Sequence, residues 1–564
     1  MRRLSNMTVD LDIFKKVDDS QVGKFDHLSN FEIAAIFNRF AAQNLRGNEV
    51  VNGGRGNPNW IATTARLAYS RLLEFGVTEA ERTYFDPKGM AGDVQKDGIY
   101  DRLMQALKGT RRDIFLRDVI GATIDQLKIE DRDAFVYELV DGALGDHYPY
   151  PPRCLKYTEQ VLQQYLQKNC FKDVQMAKDV DVFPTEGGTA AMVYIFQELH
   201  YAHVLYPGDT VVVNSSIFTP YLQIPELSEY NLRIKTVTTK REDNWQMTDE
   251  QFEELKDPKV KAFFAVNPTN PTARAFTPER LEKFKEVIKA NPDLVIITDD
   301  VYGTFSPSYR SIFAVAPHNT ILVYSFSKLY GATGQRLGVV CMHHDNVCDR
   351  IIQENLMNRR LKELDERRYS IVVPDPHKMK FIDRMVADSR AIGLYHTAGL
   401  SSPQQVMMDM FAMSNLKDDG ANEYVKLSRQ VVADRYHEFW NDLGVKADET
   451  AENTRYYTLV DIFDLMKQRH GEDFCKYFKD NYNYLDFTYR LATEFGAVVM
   501  DAKAFGAEEG NVRVSLANLQ KDDYRKLAQA ILDLVDEYYE VYQESKKWLT
   551  NWKISGLIRN NHCC

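Results

Sequence analysis

The amino-acid sequence predicts an α/β protein, with a large domain built on a mostly parallel central sheet and a smaller α/β domain beside it in the chain. Three observations carry this expectation. Between about residues 155 and 345, short apolar runs alternate with stretches of helical periodicity, the pattern of successive strand-helix units. Several of the runs are rich in Val, Ile and Phe at consecutive positions, as parallel strands covered on both faces require. A second set of strand and helix signals begins after residue 400.

The N-terminal 150 residues are mixed. The Gly- and Asn-rich stretch Asn52–Trp60 (NGGRGNPNW) is too punctuated to be a helix, whereas the stretch near Ala80–Asp146 is charged and helical in character. Seven strands are expected next: Val180–Pro184, Thr210–Asn214, Leu232–Val237, Val260–Val266, Leu294–Thr298, Thr320–Ser325 and Leu337–Met342. Between them, Thr248 with Gln251 forms a capping box, and Thr277 before Pro278 reads as an N-cap followed by proline at the first helical position. Glu354–Arg368 is a heavily charged helical stretch, expected to be a solvated face or a subunit contact. Further on, Gly496–Met500 and Asn511–Leu516 read as strands, and Leu527, Ile531, Leu534, Tyr538 and Tyr542 recur along one face of a final helix. The expected organisation is an N-terminal segment, 1–150, that contributes to the small domain and carries a helical insertion; a large domain, 151–395; and a C-terminal small domain, 396–564.

With 564 residues, 44% hydrophobic and 27% charged, the chain lies near the globular average, which excludes a single small binding module and a broadly disordered chain. A net charge of −11 and a pI near 5.7 disfavour nonspecific attachment to nucleic acid or an anionic membrane. The seven cysteines are scattered and odd in number, the pattern of reduced thiols. The opening MRRLSNMTVDLDIFKKVDD has no apolar run behind its basic residues, and no later stretch approaches ~18 uninterrupted apolar residues, so a cytoplasmic location is expected.

The most informative stretch is Tyr324-Ser-Phe-Ser-Lys328-Leu-Tyr-Gly-Ala-Thr-Gly-Gln-Arg336-Leu-Gly, which leaves a strand and enters a loop dense in small polar residues. A lysine at the C-terminal end of a parallel strand, where α/β ligands bind, can form a Schiff base with an aldehyde; Ser325 before it and Arg336 after it suit a phosphate. An aldehyde that carries a phosphate is pyridoxal 5′-phosphate. Asp299 and Asp300 close the expected strand Leu294–Thr298, with Tyr302 just beyond. A carboxylate keeps a pyridinium nitrogen protonated and a phenol serves the ring's O3′, although acidic residues at a strand end also serve as helix N-caps. Asn270, in Asn-Pro-Thr-Asn270-Pro-Thr-Ala273, offers an amide to the same oxygen. Glu186-Gly187-Gly188-Thr189 joins a strand to a helix, so backbone N–H groups, a hydroxyl and the helix dipole converge there on a candidate phosphate site. Phe218 is a candidate to stack on a planar ring. Arg513, inside an apolar strand, requires a partner that is either a substrate carboxylate or a protein Asp or Glu.

This set of residues, in this order, resembles the fold-type I pyridoxal-phosphate enzymes of the aspartate aminotransferase superfamily, from about Asn52 to Leu519. The resemblance implies that Lys328 bonds the cofactor, that Ser325, Arg336, Gly188 and Thr189 hold its phosphate, that Asp299 faces the pyridine nitrogen, and that Tyr302 and Asn270 face O3′. It places Phe218 against the ring and Arg513 on the substrate's α-carboxylate. Tyr148, in His-Tyr148-Pro-Tyr-Pro-Pro, looks like the tyrosine that reaches a neighbouring subunit's phosphate, which implies a homo-oligomer of at least two chains.

Two departures stand out: Ala273 occupies the usual glycine position of the Asn-Pro-Thr-Gly turn, and no motif identifies an arginine for a second carboxylate. Within the superfamily, the extra length, the Gly-Arg55-Gly-Asn-Pro-Asn-Trp loop and the Lys328 segment resemble the aspartate β-decarboxylase (aspartate 4-decarboxylase) family. That resemblance implies conversion of L-aspartate to L-alanine and carbon dioxide with aminotransferase side activity. It also implies a subunit contact that extends to a dodecamer, and makes Arg55 the candidate for the β-carboxylate. The alternatives are an aspartate or aromatic aminotransferase with an enlarged peripheral domain, and a regulator that uses such a domain to sense its ligand. For the regulator, residues 1–50 offer no convincing helix-turn-helix. Cys341, His343, His344, Asp345 and Cys348 have ligand-like chemistry without a second cluster to complete a tetrahedral site, so no metal is expected. No P-loop or dinucleotide fingerprint supports nucleotide binding.

Overall fold

The computed structural model describes residues 30–83, 90–214, 223–390, 399–417, 423–505 and 507–560. The chain divides into two compact units. One comprises residues 57–430 with 449–454, and the other residues 1–56, 431–448 and 455–564.

The larger unit is built on seven strands: β1 (Val180–Thr185), β2 (Thr210–Asn214), β3 (Arg233–Val237), β4 (Val260–Val266), β5 (Val295–Asp299), β6 (Thr320–Ser325) and β7 (Gly338–His343). Each lies within one residue, at either end, of the run expected from the sequence. Their order across the sheet is β1-β7-β6-β5-β4-β2-β3. The pairs from β3 through β6 are parallel, whereas β7 runs antiparallel to both β1 and β6.

The four strands β1, β5, β6 and β4 are buried almost throughout, which explains their unbroken apolar runs. Both edges are protected in different ways. β3 exposes Arg233 and Lys235, charges that discourage pairing with another strand. β1 contains Pro184, and the helix Lys156–Leu166 caps its backbone: Gln163 donates to the Val180 carbonyl at 2.7 Å, and Glu159 accepts from Val182 N–H at 3.2 Å.

In the larger unit the helices Thr63–Arg82, Ile99–Ala106, Arg111–Leu127 and Arg132–Leu144 come before Lys156–Leu166 and the sheet. They pack with Lys156–Leu166 and with Ser402–Leu416, a helix buried on nearly every side. This packing draws residues 57–150 and 399–430 into the larger unit, so the bounds expected near residues 150 and 395 fall inside it. The capping box at Thr248 and Gln251 and the Thr277-Pro278 helix start are both present. The charged stretch after residue 354 is two helices, Val347–Asn355 and Arg359–Tyr369, the second burying only Tyr369.

In the smaller unit, Val51–Asn52 pairs in parallel with Ala497–Val498. A three-stranded antiparallel sheet sets Asn511–Ser515 between Met500–Asp501 and Tyr457–Asp461. The single strand expected at Gly496–Met500 is therefore two short ones in different sheets, with Val499 between them. Tyr457–Asp461 was not expected, because its apolar residues run on into the helix Ile462–His470, which Asp461 caps by accepting from Asp464 N–H. The helix Lys521–Asn560 buries Leu527, Ile531, Leu534, Tyr538 and Tyr542, the five positions expected from periodicity.

Candidate active site

The candidate residues of the larger unit gather because register brings the C-terminal ends of neighbouring strands side by side. Val266 of β4 pairs with Asp299 of β5, which pairs with Val323 of β6. Ser325, at the end of β6, pairs with Gly338, which also pairs with Thr185 at the end of β1. The loops carrying Asn270, Asp299 with Tyr302, Lys328, and Gly187 with Thr189 thus leave one end of the sheet, where ligands bind in doubly wound folds.

The two adjacent acids are distinguished by the alternation of a strand. Thr298 and Asp300 share a face, and Thr298 Oγ1 donates to Asp300 Oδ1 at 2.7 Å. Burial pushes the Asp300 carboxyl up to about 7, the Asp299 charge adds to this, and the Ser311, Tyr309 and Thr298 hydroxyls oppose it. Asp299 points the other way; its Oδ1 accepts from Val301 N–H at 3.1 Å and its carbonyl accepts from Asn267 N–H at 2.9 Å. This second contact fixes the Asn267–Ala273 turn on the end of β5. Asn270 and Tyr302 are both buried there. Ala273, in the place where a glycine was expected, has φ +58°, the left-handed region that favours glycine.

Beside β1 the helix Gly188–Tyr201 begins, with Gly187 at its N-cap in a conformation (φ 90°, ψ 168°) that side chains rarely adopt. A Cβ on Gly187 would stand 2.4 Å from Arg336 Nη2, and one on Gly338 would stand 2.6 Å from the Gly187 carbonyl carbon. Arg336 donates to the Glu186 and Thr333 carbonyls at 3.2 and 3.1 Å, and its side chain and that of Thr189 are exposed. Ser325 Oγ bonds Ser327 Oγ at 2.9 Å. Gly187 therefore leaves room for the Arg336 guanidinium at a helix N-terminus, and Gly338 leaves room for the Gly187 backbone; with the Thr189 and Ser325 hydroxyls, this donor set fits the phosphate of a pyridoxal-phosphate cofactor.

In the smaller unit Arg513 lies in the central strand, buried, its guanidinium 4.5 Å from the Tyr457 ring centroid and 4.6 Å from that of Phe505. Its Nη2 donates to the Gly54 carbonyl at 2.6 Å. Gly56, on the other side of the exposed Arg55, accepts from Tyr456 Oη at 2.9 Å. Arg513 is thus bonded to the backbone of the loop in which the sequence singled out Arg55. Tyr148 is 68% exposed on the larger unit. Phe218 lies outside the described residues.

Cys341 and Cys348 are buried, and burial pushes both thiols well up. Among the described residues, the side chains close enough to share a cation are instead Asp93, Asp146 and His147, all exposed. None of the described helices is long and apolar enough to cross a membrane.

Sequence reasoning missed the residues that hold the Lys328 turn. Trp60, Arg66 and Tyr424 donate to its backbone carbonyls. Trp60, at the end of the singled-out loop, was the one visible signal.

Residues 148–531 match the family described as aminotransferase class I and II. The chain belongs to this family. Its cofactor is pyridoxal 5′-phosphate. Among curated relatives, a bifunctional aspartate aminotransferase and L-aspartate beta-decarboxylase from a Pseudomonas species is 40% identical over 499 residues, 88% of this chain and 93% of the relative. Solved family structures share the fold. A Thermus thermophilus aspartate aminotransferase variant superposes with a TM-score of 0.57 at 18% identity, covering 90% of this chain and 97% of that one. An aromatic aminotransferase from Pyrococcus horikoshii gives 0.53 at 17% identity, covering 86% and 96%.

Proposed function

We propose that this family member converts L-aspartate to L-alanine and carbon dioxide, with aspartate aminotransferase side activity. The observation that carries the reading is the 40% identity, along almost the full length of both chains, to a bifunctional enzyme named for those two activities. The cofactor, when bound, supplies a ring that takes up the electrons of the bond broken at the substrate. The protein's part is to hold charges and move protons.

Lys328 Nζ would anchor the cofactor, and its amine would take the Cα proton and return protons as the product forms. Asp299 keeps a proton on the pyridine nitrogen, a role open to it because Asp300 is turned to the opposite face and engaged with Thr298. Tyr302 and Asn270 serve O3′. Gly188, Thr189, Ser325 and Arg336 take the phosphate, and Phe218 the ring face. Arg513 takes the α-carboxylate bidentately, while Arg55 steers the β-carboxylate that leaves as carbon dioxide. Loss of carbon dioxide from Cβ needs that carboxylate held loosely enough to shed its charge, which suits an exposed arginine better than a buried one.

Tyr148 extends from one chain to the phosphate site of a partner, making the enzyme a homo-oligomer of at least a dimer, with a dodecamer as the larger assembly, and its location cytoplasmic. The second reading is an aspartate or aromatic aminotransferase with an enlarged peripheral domain, favoured by the fold shared with both kinds of enzyme. The experiment is incubation of the purified protein with pyridoxal 5′-phosphate and L-aspartate, without oxo acid. Alanine and carbon dioxide in equal amounts over many turnovers support decarboxylation. Oxaloacetate formed only when an oxo-acid acceptor is added, without carbon dioxide, supports the second reading.

A further inference from the structure

The turn that carries Lys328 is held by donors converging on three successive carbonyl groups. The Leu329 carbonyl accepts from Trp60 Nε1 at 3.0 Å and from Tyr424 Oη at 2.9 Å. The Tyr330 carbonyl accepts from Ala62 N–H and from Arg66 Nη1, each at 3.1 Å. The Gly331 carbonyl accepts from Arg66 Nη2 at 2.8 Å. Gly331 has φ +58°, and a Cβ there would stand 1.8 Å from the Trp60 carbonyl oxygen, so the two chain segments are in direct backbone contact.

Arg66 lies in the first turn of the helix Thr63–Arg82, and its Nη1 also donates to the Ala62 carbonyl at 3.0 Å. One planar guanidinium therefore ties the start of that helix to two carbonyls of the turn. This task requires donors fixed in a fork, which a lysine ammonium does not offer. The Tyr330 ring is locked as well, stacked on Phe411 (centroids 4.7 Å apart) and on Tyr424 (5.7 Å).

A lysine side chain has a flexible four-carbon stem, so the angle from which it departs is set by its backbone. We propose that Arg66, with Trp60 as its auxiliary, is a positioning residue for Lys328, clamping the turn so that Nζ is delivered to one place in successive proton transfers. The inference rests on Lys328 being the cofactor lysine. It explains why the Asn-Pro-Asn-Trp end of a loop whose other end carries Arg55 is anchored on this turn.

The test uses holoenzyme of the full chain as wild type, Arg66→Gln, Arg66→Lys and Trp60→Phe. Three quantities are read: the pH midpoint of the resting cofactor absorbance, kcat and KM for L-aspartate, and the lysine labelled after borohydride reduction and peptide mapping. A freed turn misplaces Nζ without altering the substrate's carboxylate contacts. Arg66→Gln is therefore expected to lower kcat about 10- to 100-fold with KM within about twofold, and to displace the absorbance midpoint. Arg66→Lys should recover part of both, and Trp60→Phe, which leaves Tyr424 on the Leu329 carbonyl, should shift both in the same direction by less. An unchanged midpoint with kcat within about twofold in Arg66→Gln, and label on Lys328, overturns the clamp and leaves the proposed function standing. Should Arg66→Gln fail to fold, the same outcome in Arg66→Lys together with Trp60→Phe overturns it. Label on a different lysine overturns the clamp and the proposed function together.

Discussion

Replacing Gly187 by alanine separates the demands of the backbone from those of the anion cradle. Gly187 has φ +90°, and a Cβ there meets Arg336 at 2.4 Å; Gly208 has φ +91°, and a Cβ there meets nothing within 4 Å. Both Gly→Ala changes carry the cost of a side chain in a glycine conformation, about 1–3 kcal/mol. Only the first also displaces a guanidinium. Because that guanidinium ends a flexible side chain, it swings away rather than unfolding the chain, and the loss falls on anion binding. One charge-assisted contact is worth about 1.5–3 kcal/mol, or roughly 10- to 100-fold in affinity. Gly187→Ala should therefore weaken pyridoxal 5′-phosphate binding to the apoenzyme by that factor, measured by absorbance or fluorescence titration, whereas Gly208→Ala leaves it unchanged at a comparable loss of stability. Equal cofactor affinity in the two variants would refute the reasoning that Arg336 must occupy the space which Gly187 clears.

Other substitutions probe the remaining parts of the site. Lys328→Ala should abolish turnover together with the absorbance of the lysine-bound cofactor; decarboxylation at the normal rate would reject its role. Asp299→Ala should leave cofactor bound yet lower kcat by about 10²-fold or more, measured as carbon dioxide release from saturating aspartate. Asp300 behaves differently, because its folded-state pKa is raised from 3.8 to about 7. Between those values the unfolded chain releases a proton that the folded chain keeps, so stability falls as pH rises, by up to about 4 kcal/mol at about 1.4 kcal/mol per pH unit. Asp300→Asn should flatten this dependence in denaturation midpoints measured from pH 4 to 7; an unaltered slope would sink the assignment. Ala273→Gly, by removing a side chain from φ +58°, should stabilise the protein by about 0.5–1 kcal/mol in thermal or chemical unfolding.

The seven strands of the larger sheet were legible because six of them are covered on both faces and therefore carry uninterrupted apolar residues. The candidate segment around Lys328 stood out for a related reason: a lysine, two serines and an arginine crowded behind such a strand have no packing role to fill. What the sequence concealed depends on distant backbone. Arg66 and Tyr424 meet the Lys328 turn through carbonyl groups that every residue possesses, so nothing in residue type announces the contact. That Asp300 turns to the Thr298 face, away from that of Asp299, likewise shows only in the strand register and the Thr298 bond. Tyr457–Asp461 was hidden because a strand and the following helix share one apolar run, and the break at Val499 because four residues suffice for two separate pairings.

The pairing of Val51 with Ala497 has a consequence for how the polypeptide is made. A ribosome adds residues in order, so Val51–Asn52 emerges about 450 residues before its partner strand exists, whereas residues 57–430 hold nearly everything the larger unit needs. The larger unit can thus mature while synthesis continues, and the smaller one closes only when the last quarter of the chain has been released. Until then the early segment has neither its parallel neighbour nor the Leu527 side chain that lies against Gly53. Substitutions near Ala497 should accordingly act on yield more than on the folded enzyme, because they prolong the interval in which the beginning of the chain waits for its end.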